Sequence, residues 1–151
     1  MKTIIKIADI PIGIELQNDG YLPAFSPYIT SEDPVFSISV TKDDIQKVRE
    51  RRKEYAEESE QYIEYMELYN KIADKMLRCD RAGFHGVAFL WQGKAWIFTA
   101  ISGTGKTTQY VLWKSLFGEE IQMINGDKPF LSFYSDEIIL HPSPWAGKEC
   151  L

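Results

Sequence analysis

Cysteine is scarce in this chain: Cys79 and Cys150 are the only two in 151 residues. They stand far apart, which excludes a disulfide-stapled scaffold and any Cys-rich metal module. Two unpaired thiols in a reducing compartment are expected. Basic charge is also in deficit, with 17 Lys and Arg against 22 Asp and Glu and a net charge of −5. A protein whose main partner is nucleic acid needs a basic footprint, so that class is set aside. No apolar run approaches the length that spans a bilayer. Met1-Lys2-Thr3-Ile4-Ile5-Lys6-Ile7 is too short and too interrupted for a signal peptide. The expectation is a soluble, cytoplasmic protein with no membrane partner. Repeats and low-complexity tracts are lacking too. What remains is ordinary globular composition, 44% apolar and 26% charged, and enough residues for one domain with a proper core.

Against that plain background one run stands out, Ala100-Ile101-Ser102-Gly103-Thr104-Gly105-Lys106-Thr107. Before it, Trp96-Ile97-Phe98-Thr99 is rich in strand formers. After it, Tyr110, Val111, Trp113, Leu116 and Phe117 recur at helical spacing. Strand, glycine loop, Lys-Thr and helix make a phosphate-binding loop of the Walker A kind. Such a loop wraps backbone N–H groups round a polyphosphate, and Gly103 and Gly105 supply the unusual φ/ψ that this requires. The helix start adds unpaired N–H groups and its positive dipole end. Ser102 to Thr107, with Thr108 next to them, are the candidate nucleotide-binding residues. Lys106 is expected to reach the β- and γ-phosphates and Thr107 to hold Mg²⁺. Ala100 replaces the usual first glycine, at a strand end where no phosphate contact is obligatory.

The rest of the chain divides into two parts by pattern. Residues 1–58 read as a small β layer followed by a charged helix. Isoleucines from Ile4 to Ile14 suggest one or two strands broken by Pro11 and Gly13, and Val35 to Val40 alternates as a further strand. Residues 18–20 and 23–34 read as loop. Thr41-Lys42-Asp43-Asp44 is a helix start with acids in its first turn. The segment from Arg49 to Glu60 reads as a solvated helix face, basic cluster included, with Ser59 able to restart a second helix. Tyr62, Met66, Tyr69, Ala73 and Met76, widened by Ile63, Leu68, Ile72 and Leu77, form a stripe too broad for a coiled-coil seam and suited to a core helix. Residues 59–151 read as the nucleotide-binding core, or the whole of 1–151 as one compact domain. There a hairpin turns at Gln92-Gly93, the loop helix stops at Gly118, Ile121 to Asn125 is a short strand, and a second hairpin turns at Ser135-Asp136.

Two more residues carry chemistry. Asp127 follows the strand after the loop helix, where phosphoryl transfer needs a metal ligand or a base for the attacking hydroxyl. Taken alone it is a turn acid in Asn-Gly-Asp. His85, in Phe84-His85-Gly86, lies on the strand expected beside the loop strand. It is either structural or a partner that orients a catalytic acid. Lys148 reads as a surface residue.

His85-Gly86, the following hairpin, Ser102-Gly103-Thr104-Gly105-Lys106-Thr107 and Asn125-Gly126-Asp127-Lys128-Pro129 together resemble HPr kinase/phosphorylase and its bacterial relatives. Those proteins share their nucleotide core with phosphoenolpyruvate carboxykinase, whose loop Ser102 to Thr108 also resembles. The likeness covers about residues 60–149. It implies an α/β fold of mixed α+β character, the carboxykinase-type P-loop fold with a mixed sheet. A hairpin directly before the loop fits that fold independently, because an ordinary parallel P-loop domain needs a crossover there. The resemblance also implies an ATP-dependent, Mg²⁺-requiring kinase acting on a serine hydroxyl of a protein or peptide. His85 and Asp127 would serve the reactive centre, with Lys106 neutralising the phosphate and Thr107 and Asp127 holding the metal. The family often has two adjacent acids where this chain has Gly126-Asp127, and its members run on past the Pro-Trp-x-Gly-Lys segment. Hence the alternative, a shortened nucleotide-binding module without catalysis. Carboxykinase chemistry is a weaker alternative, since only Arg78 and Arg81 could line an oxaloacetate pocket. An open sheet edge would make a homo-oligomer a further expectation.

Overall fold

The computed structural model describes residues 1–147, so Lys148 and Cys150 lie outside the described residues. The fold is mixed α+β. Among the described residues it holds four α-helices and three sheets of three strands each. None of those helices is long and apolar enough to cross a membrane. The chain forms two compact units, Met1–Arg78 and one that begins at Cys79. The division falls after the long helix, which groups that helix with the N-terminal sheet.

In the first unit β1 (Lys2–Ile7) and β2 (Ile10–Glu15) pair as an antiparallel hairpin, and β3 (Phe36–Ser39) adds parallel to β2. The break between β1 and β2 is not at Pro11 or Gly13. It is a two-residue turn at Ala8-Asp9, where both residues take positive φ as the twist of a tight hairpin demands. Pro11 is tolerated inside β2 because the β3 ladder begins one residue later, at Ile12, and its carbonyl accepts from Val35 N–H. The 23–34 stretch is not all loop: Leu22–Phe25 forms a one-turn helix, α1, that seats Phe25 in the core.

The charged segment splits as its capping residues dictate. α2 (Lys42–Arg51) starts with a reciprocal capping box between Thr41 and Asp44 and ends at Arg52, which is extended. α3 (Glu60–Met76) restarts at Ser59, whose hydroxyl accepts from Tyr62 N–H. The buried line of α3 is Ile63, Glu64, Leu68, Ile72 and Met76, while Leu77 is exposed. The expected stripe is thus rotated, and a carboxylate sits within it. Glu64 is 2% exposed and accepts from Gln17 N–H (2.6 Å), Asn18 N–H (3.1 Å) and the Asn18 amide (2.7 Å). Three charge-assisted bonds offset its burial and fasten the chain after β2 to the helix.

The second unit contains two antiparallel sheets. β4 (Arg81–Gly83), β8 (Phe130–Phe133) and β9 (Ile138–His141) form one, in the order β4-β8-β9. β5 (Val87–Trp91), β6 (Lys94–Phe98) and β7 (Gln122–Asn125) form the other, in the order β6-β5-β7. β5 and β6 turn at Gln92-Gly93, both with positive φ. Since β6 and β7 are each antiparallel to β5, they run the same way. α4 (Lys106–Phe117) carries the chain from one to the other. Trp113 anchors it, with Phe89, Trp91, Trp96, Phe98 and Phe117 at centroid distances of 5.1–5.8 Å. Only part of the expected apolar stripe takes part, because Val111 and Leu116 are exposed.

Asp44 offers a stability test in the first unit. Burial pushes its carboxyl pKa up, but the Lys71 ammonium at 2.8 Å and the N–H and hydroxyl of Thr41 outweigh this and bring it to about 2 from the usual 3.8. A depressed folded pKa contributes stability that is complete above 3.8 and is lost as pH falls towards 2. Asp44→Ala is expected to cost about 1–2 kcal/mol at neutral pH. In urea unfolding by circular dichroism, the parent and variant should converge near pH 2. Equal stability at pH 7 would show that the box and its Lys71 partner contribute nothing.

Candidate functional site

The β6-β5-β7 order brings three chain segments to one end of the sheet. Val87, the first residue of β5, pairs with Phe98, the last of β6, and Ala88 pairs with Asn125, the last of β7. Therefore the residues just before β5, just after β6 and just after β7 converge. These are His85, the glycine loop and Asp127. A cleft of about 370 Å³ opens among them, lined by Ser102, Gly103, Gly105, Lys106 and Thr107 on the loop side and by His85, Gly126, Asp127 and Gly147 on the other.

The loop has the geometry its glycines foretell. Gly103 and Gly105 have φ of +81° and +89°, and Gly105 is the N-cap of α4 with left-handed backbone. No side chain caps the helix, which leaves its first N–H groups for a ligand. The Lys106 ammonium lies on the carbonyls of Ala100 (3.0 Å) and Ile101 (3.3 Å). The Thr104 hydroxyl donates to the Ile101 carbonyl at 2.8 Å, so Thr104 shapes the loop and is not in the cleft wall. Thr108 is exposed on the first helical turn and is also outside that wall.

The opposite wall is built by backbone pairing. Beyond β5 the chain continues to bond with the chain beyond β7: Gly86 N–H donates to the Asp127 carbonyl (2.8 Å) and Phe84 N–H to the Pro129 carbonyl (2.9 Å). The turn between is shaped by the buried Asn125, whose side-chain oxygen accepts from Asp127 N–H (3.0 Å) and Lys128 N–H (2.8 Å). Its amide donates to the Ser143 carbonyl and hydroxyl. Gly126 and Lys128 donate in turn to the carbonyls of Ala146 and Trp145. Trp145, 1% exposed, locks this strap and brings Gly147 to the cleft rim.

His85 Nε2 then stands 3.2 Å from Asp127 Oδ1, and Lys128 Nζ stands 3.5 Å from Asp127 Oδ2. Burial lowers the His85 pKa, the nearby Lys128 and Lys106 ammoniums lower it further, and Asp127 raises it in opposition. The net direction is downwards, which favours the neutral ring beside the Asp127 carboxylate. No family model, curated protein or solved structure matches this chain.

The fit to a magnesium–nucleotide pair can be tested on these residues. Among the described residues, no group of three or more His, Cys, Asp or Glu is arranged as a closed metal cage. Mg²⁺ needs none, since it commonly takes one or two carboxylates and fills its remaining positions with phosphate oxygens and water. Thr107 and Asp127 line the same cleft from opposite walls, which suits that donor set. Arg81 is turned away, with its guanidinium on the Cys79 carbonyl and the Tyr134 hydroxyl. Sequence reading passed over Lys128, Gly126 and Gly147. Their signal was present in Asn125 to Pro129 and in the Pro-Trp-Ala-Gly run, but local pattern does not reveal that these two segments pair.

Gly86 controls the convergence. A Cβ there would lie 2.6 Å from Ile97 Cγ2 and 2.8 Å from the Phe98 carbonyl oxygen, and the latter is backbone and cannot give way cheaply. Gly86→Ala is expected to lower stability by about 1–3 kcal/mol in urea unfolding and to weaken any ligand of the cleft. An unchanged midpoint would mean that β5 and β6 do not approach this closely.

Proposed function

We propose that the chain is an ATP-dependent, Mg²⁺-requiring phosphotransferase of the HPr-serine-kinase type, built on a carboxykinase-type P-loop core. One observation carries the reading: the glycine loop and a His85–Asp127 pair line the same cleft. A phosphate loop alone says only that an anion binds. A carboxylate with an orienting histidine opposite it supplies what transfer to a hydroxyl requires. The hairpin that runs directly into the loop supports the carboxykinase-type version of the fold.

Each residue then has a stated task. The loop amides from Ser102 to Thr107 and the start of α4 hold the phosphates. Lys106 leaves its two carbonyl acceptors for phosphate oxygens and neutralises charge there. Thr107 and Asp127 would hold Mg²⁺, which would supply charge stabilisation for the departing diphosphate. Asp127, with His85 beside it, accepts the hydroxyl proton of a serine on a protein or peptide. The serine oxygen gains its bond to phosphorus as the bond to the diphosphate breaks.

A single carboxylate favours a second reading, because Asp127 would be both metal ligand and base. On that reading the chain binds Mg-nucleotide without transferring phosphate. Transfer of radiolabelled γ-phosphate to a serine-containing protein library separates the two. Asp127→Asn is expected to keep nucleotide binding and to lose transfer by about 10²–10⁴-fold. Parent-level transfer by Asp127→Asn would refute the mechanism. Nucleotide binding by the parent with no transfer to any acceptor would establish the binding-module reading.

A further inference from the structure

A second cleft, of about 410 Å³, adjoins the same loop. It shares Gly105 and Lys106 with the first but contains nothing from the segments around β5 or β7. Its walls are the end of β6, with Ile97, Phe98, Thr99 and Ala100, and the loop and first turn of α4, with Thr104 and Gln109. Since β6 is an edge strand, this cleft lies at the outer side of the sheet, across the loop from Asp127.

Its chemistry differs from that of the first cleft. Lys106 is its one charged residue, and that ammonium is already engaged by the Ala100 and Ile101 carbonyls. Two of its hydroxyls are committed as well, Thr99 to the His85 carbonyl and Thr104 to the Ile101 carbonyl. Ile97 and Phe98 offer half-buried apolar surface. The Gln109 side chain is exposed and its amide makes no hydrogen bond among the described residues. Apolar surface beside one uncommitted amide suits an uncharged aromatic ring with a polar edge. A phosphate or an acidic peptide would find no counter-charge there except Lys106, which the first cleft shares.

We propose that this second cleft is the base subsite of the nucleotide, that it takes adenine, and that Gln109 reads the base. The proposal rests on the phosphate-loop reading above. A triphosphate whose terminal phosphate faces Asp127 must lead its nucleoside out on another side of the loop, and the second cleft is the apolar opening there. A glutamine amide presents one donor and one acceptor together. Adenine offers the matching pair, an amino donor beside a ring-nitrogen acceptor, whereas the corresponding edge of guanine has two acceptors. Through that edge Gln109 pairs with adenine and not with guanine.

The test is calorimetric titration of the parent and Gln109→Ala with Mg-ATP, Mg-GTP and Mg-tripolyphosphate. Alanine is a good helix former at this exposed position, so α4 is preserved. The parent is expected to bind ATP about tenfold or more tightly than GTP or tripolyphosphate, the selectivity that one paired amide–base contact supports. Gln109→Ala should bring ATP to the level of GTP and leave tripolyphosphate unchanged. If tripolyphosphate binds the parent as tightly as ATP does, the base subsite is refuted while the phosphate loop stands. Equal weakening of all three ligands in the variant would also refute it, because Gln109 would then act through the helix start. Failure of the parent to bind any of the three would overturn the base subsite and the phosphate loop together.

Discussion

Two backbone hydrogen bonds hold the candidate site together. Gly86 N–H to the Asp127 carbonyl and Phe84 N–H to the Pro129 carbonyl continue the β5–β7 pairing beyond the ends of both strands. Without them His85 and Asp127 would sit on separate loops, each able to wander at little cost. With them, the two side chains share one edge, and the loop after β6 is delivered to the same place by the β5–β6 register. The requirement for glycine at position 86 follows from this crowding: the chain there lies so close to β6 that a methyl group has no room.

Buried polar side chains do similar work in both units. Asn125 has no exposed surface and spends its amide on four groups, two N–H donors in the acid turn and two acceptors on Ser143. Glu64 takes three donors from the chain that follows β2. An apolar residue of similar size at either place would leave two part-buried backbone N–H groups without these acceptors. These residues fix where segments lie, while the apolar clusters supply most of the driving force for folding. In the second unit that cluster is aromatic and is centred on Trp113. It holds the body of α4 and leaves the first turn and its N–H groups open at the cleft.

Local signals were legible where a few adjacent residues decide the conformation. The capping box at Thr41 and Asp44, the restart at Ser59, the turn at Gln92-Gly93 and the stop of α4 at Gly118 all follow from short-range chemistry. The loop could be read for the same reason, and so could Asp127 after its short strand, whereas His85, expected on a strand, lies between β4 and β5. What could not be read depends on distant partners. Three-residue β4 exists because β8 pairs with it. α1 forms because Phe25 finds a core. The burial of Glu64 is invisible until the chain after β2 presents its N–H groups. Ala8-Asp9 misled because no glycine marks the turn and alanine is a rare occupant of positive φ, whereas Pro11 and Gly13 look like breaks and are not.

The account stands on the claim that the glycine loop and the acid turn face one ligand. Amide shift mapping of the ¹⁵N-labelled protein during Mg-ATP titration tests it most directly. The expected result is that amides of Ser102 to Thr107 and of Gly126 and Asp127 move together along one binding curve. Shifts confined to the loop, with residues 126–127 still, would show that the two walls do not share a ligand and would contradict the account.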